Sequence, residues 1–199
     1  MGKKWLKEHK RDHYYKEAKK EGYRSRAAFK LQQINAKFRI LKSGMRVLDL
    51  GAAPGGWSQV ALEIVGDTGK VVGVDLDTIV PEPPALFIKG DMTKEATLEL
   101  VKEQFQQCDV VVSDMSPNIT GNYSMDQARS IYLATAALGV VKELLKPGGS
   151  FVVKVFEGED FQEFIDELRK NFQRVKRFSP PSSRSKSSEI YVICKGFKG

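Results

Sequence analysis

DLGAAPGGWSQ, residues 49–59, ends one pattern and begins another. Before it, RVLDLG (46–51) is a continuous apolar run; after it, residues from about 57 to 65 repeat apolar positions at helical spacing. A strand that turns through glycines into a helix is the first unit of a doubly wound α/β sheet. In such sheets ligands gather at the carboxyl ends of the strands.

The rest of the chain extends this unit. VVGVDL (71–76), LFIKGD (86–91), CDVVVSDM (108–115), SFVVKVF (150–156) and EIYVICKGF (189–197) read as strands, with VKRFSP (175–180) a weaker candidate. Most are β-branched and continuous, as strands buried on both faces of a parallel sheet must be. Helical patterns fall near 57–65, 94–106, 126–145 and 160–171, and KPGG (146–149) stops the longest with a Pro-Gly turn. DTIVPEPPA (77–85) is too short and proline-rich for a helix, which makes one crossover irregular. Upstream, SRAAFKLQQINAKF (25–38) sets Ala28, Leu31 and Ile34 or Phe38 along one side of a further helix. SPPSSRSKSSE (179–189) reads as an exposed loop. The pattern predicts one Rossmann-like domain with a mostly parallel seven-stranded sheet. An antiparallel hairpin over about 174–197 forms one edge. Residues 1–44 make a basic helical extension and 45–199 the core.

The glycine turn invites a phosphate reading, which its residues oppose. A P-loop needs Gly-Lys-Ser/Thr, and a dinucleotide fingerprint needs glycine where Ala53 stands. Pro54 stiffens the loop and Trp57 opens the helix with a large aromatic. Acids end three successive strands: Asp49 beside the turn, Asp75 about 24 residues after Gly51, and Asp91. Asp75 sits where a carboxylate accepts from ribose hydroxyls, and Asp91 where one meets an adenine amino group. Any one of them reads equally as a strand-end cap. Together they repel a pyrophosphate and suit a cationic, phosphate-free nucleoside, which is the description of S-adenosylmethionine. The expected contacts are Asp49, Gly51, Ala52, Pro54, Gly55, Gly56, Trp57, Asp75, Leu76, Asp91, Met92 and Asp114.

Charge is uneven along the chain. Residues 1–46 hold 15 of the 32 Lys and Arg residues against four acids, while the remainder carries 17 against 21, so the net +7 comes entirely from the front. With Trp5, Tyr14, Tyr15 and Tyr23 interleaved, that front suits an RNA backbone with bases available for stacking. A lysine-rich solvated helix has the same composition. His9 and His13 are the only histidines and lie in this charged run, so neither a metal site nor a histidine-based triad is expected. Cys108 and Cys194 interrupt apolar segments and read as buried free thiols of a cytoplasmic protein. No apolar run is long enough to span a bilayer.

DLGAAPGGWSQ, VVGVDL, SDMSPN, FVVKVFEG and the passages from YRSRAAFKL to SSEIYVICKGF resemble the FtsJ/RrmJ family of ribosomal RNA ribose 2′-O-methyltransferases. The resemblance implies a catalytic tetrad of Lys30, Asp114, Lys154 and Glu189. Lys154 also stands out unaided, because a lysine within an apolar strand must be paired or employed. The implied reaction is in-line attack of a ribose 2′-oxygen on the sulfonium methyl, with Lys154 as general base or as a charged stabiliser of the incipient alkoxide. The implied substrate is a uridine of large-subunit ribosomal RNA, methylated within the large subunit by a monomer. A tRNA substrate, or an RNA-binding assembly factor without chemistry, are the alternatives. Phosphate contacts are expected from Lys3, Lys4, Lys7, Lys10, Arg11, Lys16, Lys19, Lys20, Arg24 and Arg26, and from Arg184 and Lys186 ahead of Glu189.

Overall fold

Continuous Val- and Ile-rich strands need cover on both faces, and in the computed structural model they have it. The structure describes residues 13–183 and 188–199. After a first helix, α1, described over 13–21, come α2 (Ala28–Phe38), β1 (Arg46–Leu50), α3 (Gly56–Val65), β2 (Lys70–Asp75), β3 (Leu86–Lys89) and α4 (Glu95–Gln104). β4 (Cys108–Ser113), α5 (Tyr123–Leu144), β5 (Leu145–Phe156), α6 (Phe161–Asn171), β6 (Phe172–Phe178) and β7 (Glu189–Phe197) follow. The seven strands form one sheet in the order β3-β2-β1-β4-β5-β7-β6, parallel throughout except for β7, which runs antiparallel between β5 and β6. The expected edge hairpin is present, with β6 as the outer strand. β6 starts at Phe172, three residues before the expected start, because the chain leaves α6 directly into the strand.

Side chains alternate between two cores. Leu48, Val111, Phe151, Val153 and Val192 pack with α5 and α6 on one face; Val47, Val110, Val112, Val152 and Ile193 pack with α2 and α3 on the other. α2 belongs to the second core: Ala28, Leu31 and Ile34 are fully buried, so part of the basic front is built into the fold. α2 stops where Arg39 turns left-handed at φ 51° and its N–H donates to Asn35 O. Residues 77–85 form no helix, and KPGG is looped out of the β4–β5 ladder, where Cys108 pairs with Leu145 and Val110 with Ser150. β5 therefore begins at Leu145, earlier than expected, and α5 begins at Tyr123 behind the cap of Asn122. Among the described residues no helix is long and apolar enough to cross a membrane. Both cysteines are buried free thiols, and burial pushes Cys108 up to about 12.

Arg24 joins three separate segments. Its guanidinium meets Glu82 Oε2 at 2.8 Å and donates to the carbonyls of Pro54, Val80 and Pro81, while its own N–H donates to Gln59 Oε1. The irregular crossover and the glycine turn are thus tied to the residues that lead into α2. Arg24→Ala leaves carbonyls and a carboxylate without donors and is expected to lower unfolding free energy by about 2 kcal/mol, measured by urea denaturation. Lysine at this position lacks the fork and is expected to recover less than half of the loss.

Candidate active site

The carboxyl ends of β1, β2, β4 and β5 and the start of β7 meet at one edge of the sheet. Side-chain alternation directs Asp49, Lys154 and Tyr191 to the α2–α3 face, where Lys30 enters from α2. Because β7 is antiparallel to β5, Lys154 lies opposite Tyr191 and Phe156 opposite Glu189. The four residues of the expected tetrad come together although they are scattered from position 30 to 189. Lys30 Nζ is 2.7 Å from Glu189 Oε1, and Lys154 Nζ is 3.0 Å from Asp114 Oδ1 and 2.6 Å from Asp114 O.

Tyr191, which the sequence reading missed, connects these two ion pairs. Its hydroxyl accepts from Lys30 Nζ at 3.1 Å and donates to Asp114 Oδ1 at 2.6 Å. The result is a continuous chain, Glu189–Lys30–Tyr191–Asp114–Lys154. Burial, with Asp114 and Glu189 nearby, holds the Tyr191 phenol well above its ordinary value, so it stays a donor. The available signal was its position two residues after Glu189, which in a strand means the same face. Both contacts of Lys154 take a proton from its Nζ, the arrangement of an ammonium.

The turn after β1 is a tight joint. Gly51 has φ 75°, and a Cβ there would lie 2.4 Å from Met115 Cγ; Gly55, at φ 112°, precedes α3. Asp75 Oδ2 accepts from Ala53 N–H at 2.9 Å and its Oδ1 from Asp77 N–H, which pins the turn to the end of β2. Ala52 is buried, Pro54 presents its carbonyl to Arg24, and Gly56 starts α3 against Ser25. Asp91 Oδ1 accepts from the N–H and hydroxyl of Thr93, which hold its carboxyl below the usual range. Leu76 is exposed at the rim and Met92 is buried in the α5–α6 core. Trp57 was expected at the ligand; its ring instead packs on Tyr191 at 5.7 Å and its indole N–H donates to Ala27 O. A large aromatic at this position closes the α2–α3 layer beneath the catalytic residues.

Asp49 is fully buried. Oδ2 accepts from Ser58 Oγ at 2.7 Å, and Oδ1 has no partner among the described residues. Burial pushes Asp49 up to about 7, against the Ser58 hydrogen bond and with added repulsion from Asp114 and Asp75. A second acid, Asp126, shapes the loop after Asp114 by accepting from Thr120 and Gly121 N–H.

The cations of the basic front divide. Lys16, Lys19 and Lys20 are exposed on α1, which docks through Ala18 and through Tyr14 on Phe29. Arg24 is engaged as described, and Arg26 donates to Ser182 O. Of the aromatics, Tyr14 and Tyr23 serve packing and Tyr15 is exposed. Lys3, Lys4, Trp5, Lys7, Lys10, Arg11, Arg184 and Lys186 lie outside the described residues.

Comparison with known proteins gives the same picture. The family model for FtsJ-like methyltransferase matches residues 23–197. The chain is 54% identical over 186 residues to the ribosomal RNA large subunit methyltransferase E of Methanothrix thermoacetophila, covering 93% of this chain and 72% of that protein. For the protein of that name in Methanosarcina mazei the identity is 53% over 190 residues, with 94% and 70% covered. A crystal structure described as a ribosomal RNA methyltransferase of Plasmodium falciparum superposes with TM-score 0.81 at 32% identity, covering 89% of this chain and all of that one. Likeness in fold alone extends to the fibrillarin/Nop5p complex, with TM-score 0.61 at 20% identity over 85% of this chain and 83% of that one.

Asp49 makes stability depend on pH. Its folded value of about 7 lies above the ordinary carboxylate range, so between roughly pH 4 and 7 the folded form holds a proton that the unfolded chain has lost. This contribution is present at low pH and declines as pH rises through the window, by at most about 1.4 kcal/mol per unit. Asp49→Asn is expected to flatten the decline, as read from denaturation midpoints at pH 5, 6, 7 and 8.

Proposed function

The chain belongs to the FtsJ-like methyltransferase family, and from that premise we propose that it methylates a ribose 2′-hydroxyl of large-subunit ribosomal RNA with S-adenosylmethionine as donor. The observation that carries this reading is the buried chain Glu189–Lys30–Tyr191–Asp114–Lys154 at the ligand side of the sheet. The names of the two archaeal relatives support ribosomal RNA as the substrate class. The substrate nucleotide is a uridine in a large subunit, and the enzyme works as a monomer in the cytoplasm.

The residues present fit the donor. Asp49 keeps a buried carboxylate oxygen without a partner, Asp75 and Asp91 add negative charge around the glycine turn, and no Lys or Arg lies within that turn. Bound there, S-adenosylmethionine supplies a methyl group on a cationic sulfur. Asp49 complements positive charge, Asp75 and Asp91 accept hydrogen bonds, and Gly51 and Gly55 let the backbone approach.

Lys154 acts on the substrate oxygen. In the reaction the ribose oxygen–carbon bond forms, the sulfur–carbon bond breaks, and the hydroxyl proton leaves. The two donations from Lys154 to Asp114 support the charged role: an ammonium that orients the 2′-oxygen and stabilises the negative charge it develops. Asp114 holds that ammonium, Tyr191 fixes Asp114, and Lys30 with Glu189 anchors Tyr191. Lys154→Ala is expected to lower kcat by about 10²–10⁴-fold while donor affinity, read by calorimetry, changes less than twofold. Near-normal turnover would overturn the assignment.

Donor binding should also sense Asp49. A cation favours the ionised carboxylate, so affinity is expected to rise severalfold as pH rises through about 7, and Asp49→Asn should abolish this rise. The function itself is tested by mapping 2′-O-methyl groups after incubation with intact large subunits, free ribosomal RNA or tRNA. Methylation of tRNA alone would move the substrate to the other class.

A further inference from the structure

Two stretches of this sequence contain no acid: residues 22–48, between Glu21 and Asp49, and residues 168–188, between Glu167 and Glu189. Far apart in the chain, they fold against each other. Phe38 of α2 meets Phe178 of β6 edge-on at 5.4 Å, Lys37 Nζ lies 4.5 Å from the centre of the Phe178 ring, and Lys195 Nζ, opposite Arg174 in register, donates to Phe38 O. Strand alternation places Arg174 and Lys176 on the same side of β6 as Phe178.

Elsewhere the surface cations are neutralised. Lys102 pairs with Glu99, Lys142 with Glu167, Lys146 with Asp109 and Arg169 with Asp166. Lys37, Arg174 and Lys176 are exposed and form no ion pair among the described residues. The open edge of β6 beside them is a cleft of about 350 Å³ lined by Arg169, Phe172, Gln173, Arg174, Val175 and Lys176.

Register ties this strip to the chemistry. Phe178 pairs with Tyr191, and Tyr191 with Lys154, so the three form a row across β6, β7 and β5. That row spans about 10 Å, and Lys176 and Arg174 follow at about 7 and 13 Å down β6 from Phe178. We propose that Lys37, Lys176 and Arg174 form a phosphate track along the outer strand, which holds the RNA flanking the target nucleotide while its ribose reaches Lys154. This rests on the RNA-methylating reading above. The contacts are to backbone phosphates and carry no sequence information. Cations at an open strand edge also oppose edge-to-edge pairing, and the test separates the two roles.

The triple variant Lys37→Gln, Arg174→Gln, Lys176→Gln is compared with wild type on the ribosomal RNA fragment that wild type methylates. The expected result is an RNA KM raised at least tenfold at 0.15 M salt, with kcat at saturating RNA, donor affinity and thermal midpoint unchanged. The slope of log affinity against log salt should become shallower by about 2 to 3, near 0.7–0.9 per phosphate released. The charge-preserving variant Lys37→Arg, Arg174→Lys, Lys176→Arg should retain the wild-type slope. An unchanged KM and slope in a folded triple variant, while wild type methylates the fragment, overturns the track alone. New self-association with unchanged RNA binding also overturns it and assigns the charges to edge protection. Should the triple variant fail to fold, the single Lys176→Glu variant is read by the same criteria. Wild type that methylates no RNA overturns the functional reading as well.

Discussion

A lysine within a buried strand sets the terms for the rest of this molecule. Lys154 is 7% exposed, flanked by Val153 and Val155 with no exposure at all. An unpaired ammonium in such a place would cost several kcal/mol, so the fold must deliver acceptors to it. It does so through topology. β4 pairs parallel with β5 and ends one residue before Asp114, while β7 pairs antiparallel and brings Tyr191 directly opposite. The lysine therefore requires both neighbours of β5. Exchanging β7 for a parallel strand would bring a different end of the chain to the site, without Glu189 and Tyr191.

Charge is segregated around this centre. The glycine turn and its acids occupy the β1–β2 side, and the unneutralised cations occupy the α2–β6 side. Asp49, Asp75 and Asp114 are close enough for each to matter to Asp49, a repulsion that folding tolerates because the group can hold a proton. A positively charged donor and a negatively charged acceptor thus meet opposite electrostatic surroundings at one sheet edge. Lys154 and Asp114 lie between the two.

Much of this could be read from the residues. Continuous apolar runs gave away the buried strands, the proline-rich 77–85 segment its irregular crossover, and Lys154 its own importance. The acids at three strand ends identified the ligand side. What escaped the reading was anything determined by pairing between distant segments. Tyr191 looks like an ordinary strand aromatic until β7 is set against β5. Trp57 looks like a ligand contact until α2 is seen to cover it. Arg24 reads as one more cation of a basic front, and only the folded chain shows its guanidinium among the carbonyls of residues 54, 80 and 81. In each case local pattern supplies the residue type and tertiary register supplies the role.

The reversed direction of β7 has one further consequence. In a parallel sheet, the loops at the ligand edge follow their strands, and a change of loop length leaves the strand behind it in place. β7 instead enters the sheet at the ligand edge, so the connection from β6 arrives at Glu189 from outside, and the catalytic face of the strand is fixed by seven paired positions with β5. The 179–188 connection can accordingly lengthen, shorten or change composition without shifting Glu189 and Tyr191 against Lys154. The enzyme holds its chemistry on the ladder and leaves this rim free to diverge.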